Sequence, residues 1–141
     1  MKPTGAGIRH VLAGVAAAFL CVLCSAPAVV AASNSGAEQL DRLVSRSALQ
    51  IATTDAKLHK FDVWIADNDP RRMRGLMFVE HLADDAGMLF VYPQPQQVGI
   101  WMKNTPLSLD ILFVRADGRV HHVFQNAKPQ SLDTIPSNGI V

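Results

Sequence analysis

From residue 48 onward, hydrophobic and polar positions follow the rhythm of strands. In residues 60–66, Phe61, Val63 and Ile65 alternate with Asp62, Trp64 and Ala66, and a period of two marks a strand. Residues 48–53 predict a partner strand, with the turn at 54–59. Residues 87–92 form a continuous apolar run stopped by Pro93 and Pro95, and residues 98–102 form another. Residues 109–114 and 120–125 flank Arg115-Ala116-Asp117-Gly118-Arg119, and Asp-Gly between two β-rich runs predicts a hairpin. One helix interrupts this pattern. Asp69 as N-cap and Pro70 at the first helical position predict a short helix to about Met77. On it, Met73 and Met77 are four apart and share a face expected to pack inward. Residues 38–47 carry only Leu40, Leu43 and Val44 at helical spacing, which allows a helical turn or a linker; with so few periodic residues, residues 33–47 are read as a linker. The expected class is mainly β, a compact sandwich- or barrel-like small domain over residues 48–141 with one short helix.

The first 32 residues follow a different pattern. Lys2, Arg9 and His10 precede an uncharged apolar run over residues 11–24, and small residues follow through Ala32. This is the pattern of a secretory signal peptide, with cleavage before Ser33 or before Val29. The run is shorter than the ~20 residues that span a bilayer. A membrane connection would exist only through this segment, if it stayed uncleaved. Leu20 and Leu23 precede the two cysteines, Cys21 and Cys24, where lipidation needs a small residue. Both cysteines leave with the segment, so the remaining chain uses no disulfide, no Cys-zinc site and no Cys nucleophile. The expected location is periplasmic or secreted.

Charge narrows the function classes. Without Lys2 and Arg9, eleven Lys and Arg face twelve Asp and Glu. No basic stripe marks a nucleic-acid footprint, so the expected partner is a small molecule or a protein and no cofactor is implied.

Four motifs stand in order along the chain: Arg74-Gly75-Leu76-Met77, Gly87-Met88-Leu89-Phe90, Trp101-Met102-Lys103-Asn104-Thr105 and Leu109-Asp110-Ile111-Leu112-Phe113. Together they resemble the DUF192 family, over about residues 49–137. The resemblance implies a compact, mainly β domain, often exported, and no established activity. The family pattern continues with a further strand and a Gly-rich end, whereas this chain stops at Val141, so one or two C-terminal strands are expected to be missing.

The candidate chemistry lies beside the apolar members of these motifs. Arg74, Trp101, Lys103, Asn104 and Asp110 are candidate ligand-binding residues: strong donors and acceptors set against large apolar groups, as a concave site requires. The structural alternative places Trp101 in the core, pairs Lys103 with Asp110 and Arg74 with Glu80, Asp84 or Asp85, and commits Asn104 to turn backbone. A hydrolase would pair Asp110 with a second carboxylate such as Asp84 or Asp85. A copper site would draw on Met and His, with Met73, Met77 and His81 as weak metal candidates beside Met88, Met102, His59, His121 and His122; Met as core filler is the competing reading.

Overall fold

The structure is a computed structural model that describes residues 35–141. The signal segment expected at 1–32 and the start of the expected linker lie outside the described residues. The described residues are mainly β, as the alternation predicts, and hold two helices in place of the single one expected.

The first helix corrects the linker reading. α1 (Ser35–Leu43) occupies most of that segment, with Glu38 in its first turn and Arg42 in its last, each the favourable sign for the helix dipole. Nine residues are marginal as an isolated helix. Packing supplies the rest: Leu40 and Val44, four apart, are buried against Trp64, Leu76 and Val79.

β1 (Arg46–Ala52) pairs antiparallel with β2 (Leu58–Ala66), placing Leu49 opposite Phe61 and Arg46 opposite Trp64. β3 (Ala86–Phe90) joins the other edge of β2 in parallel, with Trp64 opposite Met88. A parallel pair needs a crossover, and α2 (Asp69–Arg74) lies within it. The central position of β2 explains why its alternation only half predicts burial: Val63, Trp64 and Ala66 are all buried, because both faces of the strand's second half are covered.

α2 departs from expectation at both ends. Its N-cap is Asn68, whose side-chain oxygen accepts the Arg71 N–H at 3.0 Å, while Asp69 holds Arg72 at 2.5 Å. The helix stops at Arg74 because Gly75 takes φ 48° and ψ −143° and returns its N–H to the Arg71 carbonyl at 2.9 Å, a conformation open to glycine and strained for other residues. Met77 therefore lies beyond the helix and Met73 is 72% exposed, so the inward Met face does not form. Asn68→Ala is expected to cost about 1 kcal/mol, the usual worth of an N-cap, read as a lower urea midpoint. An unchanged midpoint would assign the cap elsewhere. Arg72 fastens α2 to the end of β3: it donates to the Val91 carbonyl at 2.5 Å and lies 5.0 Å over the Tyr92 ring.

The remaining strands form two small sheets. β4 (Gly99–Ile100) pairs with β7 (Ile135–Pro136), and Gln96 and Val141 exchange two backbone hydrogen bonds of 3.0 Å beyond it. β5 (Leu109–Val114) and β6 (Val120–Ala127) form the predicted hairpin, closed where Gly118 N–H donates to the Arg115 carbonyl. Met102, Phe113, Ala127 and Ile135 build a second core cluster, and Leu109 packs against both clusters. Among the described residues no helix is long and apolar enough to cross a membrane.

Candidate functional site

Three turns meet beside the first core cluster. In the first, Val79 N–H donates to the Leu76 carbonyl at 3.2 Å with Phe78 at the third position. In the second, Thr105 N–H donates to the Met102 carbonyl at 3.0 Å with Asn104 third; in the third, Ser131 N–H donates to the Lys128 carbonyl at 3.3 Å with Gln130 third. Backbone bonds lace the turns together: Phe78 N–H to the Asn104 carbonyl at 2.8 Å, and Gln130 N–H to the Thr105 carbonyl at 2.9 Å. All three third-position residues are left-handed, with φ of 65°, 53° and 58°. Turns with a positive φ there favour Gly or Asn. Asn104 meets that preference. Phe78 and Gln130 do not, and a non-glycine residue held left-handed costs roughly 1–2 kcal/mol.

These three side chains, with Glu80 and Pro106, line one concavity of about 340 Å³. Phe78 is 55% exposed although it sits among buried neighbours. Among the described residues the Asn104 amide approaches the Met77 sulfur alone, at 4.0 Å, and the Gln130 side chain makes no hydrogen bond to a described residue. Glu80 has an interaction of its own. A second concavity of about 350 Å³ lies along β4 and β7, lined by Gln97, Val98, Gly99, Thr134, Pro136, Ser137 and Asn138. There Ser137 is already committed, accepting the Val98 N–H and donating to the Gly139 carbonyl.

Of the residues singled out in the sequence, Asn104 lines the first concavity. Arg74 supports it from behind. Its guanidinium donates to the Met77 carbonyl and to Gln39 Oε1 of α1 (3.1 Å), and lies 5.1 Å from the Phe78 ring. Partial burial lowers the Arg74 pKa from its ordinary value. Trp101 is not core: it is 47% exposed, and the Lys103 ammonium lies 5.1 Å over its ring. Neither lines the concavity. Asp110 serves the hairpin, accepting the Asn126 N–H at 2.8 Å beside the register shift in β5–β6.

The soft ligands scatter. Met102 is buried in the second core cluster and Met88 packs on the first. His121 bonds Arg115 and the Asn138 carbonyl, and His122 stacks on Phe113. Among the described residues no three His, Cys, Asp or Glu side chains gather as a metal-holding group.

The sequence reading missed Phe78, Glu80, Pro106 and Gln130 as lining residues. Pro129 at the second position of its turn was a usable signal for a left-handed Gln130. No local signal marks Phe78, whose N–H is held by the distant Asn104 carbonyl.

Residues 50–141 match the DUF192 family, described as an uncharacterized ACR. The chain belongs to the DUF192 family. Two solved structures resemble this DUF192 chain. One, described as a candidate transcription regulator from Sinorhizobium meliloti 1021, is 35% identical, with a TM-score of 0.68 over 70% of this chain and 76% of that one. The other, a protein of unknown function from Novosphingobium aromaticivorans DSM 12444, is 32% identical, with a TM-score of 0.66 over 69% of each chain. No curated protein matches the chain.

Proposed function

We propose that this DUF192 domain is an exported ligand-binding or accessory module whose site is the concavity of Phe78, Asn104 and Gln130. The observation that carries this reading is the conformational cost at Phe78 and Gln130. Glycine at either position would relieve the backbone, yet both carry large, exposed side chains aimed at one hollow. Strain of this kind clusters at ligand sites because the side chain is needed there. Export rests on the apolar, small-residue pattern of the first 32 residues. The near balance of acidic and basic residues after them favours a small molecule or protein over nucleic acid. The hydrolase alternative loses support because Asp110 is occupied as a hairpin pin, and the copper alternative because Met88 and Met102 are core groups.

Phe78→Gly separates site from scaffold. Relief of left-handed strain offsets the lost partial burial and the added freedom of the unfolded chain, so stability should stay within about 1 kcal/mol of the parent. Compounds that raise the parent's melting temperature in a small-metabolite screen should no longer do so in Phe78→Gly or Asn104→Gly. Thermal shifts that survive in both variants would reject the concavity as the site.

A further inference from the structure

The lining of the concavity selects a chemical class. No Lys or Arg lines it. Of the cations on or beside these turns, Arg74 is engaged with Met77, Gln39 and the Phe78 ring and Lys103 with the Trp101 ring, and the exposed Lys128 opens the Gln130 turn without lining the hollow. An anion would therefore find no Lys or Arg among the lining residues. A cation is no better served, because Glu80 already has an interaction of its own and Arg74 already lies over Phe78.

What the hollow offers is two primary amides, Asn104 and Gln130, each with two N–H donors and a carbonyl acceptor. Beside them stand two exposed apolar surfaces, Phe78 and Pro106. Amides that donate and accept side by side match hydroxyls, which do the same. Flat apolar surfaces match a ring that presents C–H groups on one face and hydroxyls at its edge. The volume, about 340 Å³, lies at the small end of ligand pockets, room for one or two sugar rings.

We infer that the Phe78–Asn104–Gln130 concavity binds a neutral saccharide. Phe78 and Pro106 cover its C–H face, and the Asn104 and Gln130 amides hold its hydroxyls. This inference rests on the concavity being the ligand site.

The test uses the full chain, ¹⁵N-labelled, titrated separately with methyl β-glucoside, cellobiose, inorganic phosphate, tetramethylammonium and a blocked alanine dipeptide, each to tens of millimolar. The expected result is saturable shifts of the Phe78, Asn104 and Gln130 amides with a sugar alone, weakened at least tenfold in Gln130→Gly, whose backbone suits glycine. Tighter binding of cellobiose than of the glucoside assigns a glycan chain; equal binding assigns a free sugar. Saturable shifts at these residues with phosphate, tetramethylammonium or the dipeptide, and not with sugar, overturn the saccharide class and leave the site standing. Sugar shifts confined to Trp101 overturn the assignment to this hollow. No saturable shift there with any probe overturns the saccharide inference and removes support from the site itself.

Discussion

Trp64→Ala should cost the domain about 3–5 kcal/mol, the usual price of deleting a buried tryptophan. Trp64 is 1% exposed and belongs to the first core cluster, which gathers residues from Ala37 of α1 to Leu109 of β5. On β2 it stands between Arg46 of β1 and Met88 of β3. Its indole N–H donates to Asp41 Oδ1 of α1 at 2.8 Å, and the Arg46 guanidinium covers the ring at 4.1 Å. Arg46 in turn holds Asp41 at 2.9 Å and Asp62 at 2.5 Å. These pairs are half exposed, so their own contribution is small; they orient the tryptophan more than they stabilise it. Burial and the cavity left behind dominate the loss. A domain of this size holds about 5–15 kcal/mol in all, so the variant should show a sharply lower urea midpoint or partial unfolding without denaturant. Trp64→Phe retains most of the apolar area and gives up the bond to Asp41, so it should lose only about 1–2 kcal/mol. Equal losses in the two variants would mean that the hydrogen bond, and not packing, carries the site.

Gly36→Ala should destabilise by about 1–3 kcal/mol, the range for overpacking, although helix propensity alone predicts a gain of up to about 1 kcal/mol. A Cβ at Gly36 would sit 2.0 Å from the Phe78 carbonyl oxygen and 2.7 Å from the Val79 nitrogen. Both are backbone atoms and cannot swing aside as a side-chain end can. The start of α1 must then lift, or the turn that holds Phe78 must shift. Either movement disturbs Val79, which is fully buried, and the Arg74–Gln39 bond that ties α1 to the same turn. The effect should therefore reach the concavity: amide shifts at Phe78 and Asn104 should accompany the lower melting temperature. A rise in melting temperature would mean that α1 does not press on this turn.

The two effects share one cause. α1 covers Trp64 and braces the turn of Phe78, so a helix that local periodicity does not predict is part of both core and site. Its apolar residues are too few to make periodicity persuasive. Their weight comes from burial against residues 20 to 39 positions later in the chain, which no local window contains. The Asp117-Gly118 hairpin is the opposite case, because its alternating flanks and its turn residues both lie within a few positions. Its strand β5 forms over the residues expected, 109–114.

The candidate site was legible in part. Asn104 was identified from its place beside Trp101 and Lys103, and it does line the hollow. Arg74 was identified for its chemistry, but its nearest partners turn out to be a backbone carbonyl, a glutamine of α1 and an aromatic ring. Asp110 is close to them in sequence, yet the fold assigns it to the Asn126 N–H instead.

By itself the sequence determined the mainly β class, the strands around Trp64, the hairpin and the family, because these depend on side-chain alternation, turn chemistry and motif order along a continuous stretch. Only the tertiary structure decided that residues 35–43 are helical, that Met73 faces out, and that Phe78, Asn104 and Gln130 share one hollow. Those outcomes depend on turns 26 residues or more apart being laced by backbone hydrogen bonds, and on a left-handed phenylalanine whose own sequence neighbours do not call for that conformation.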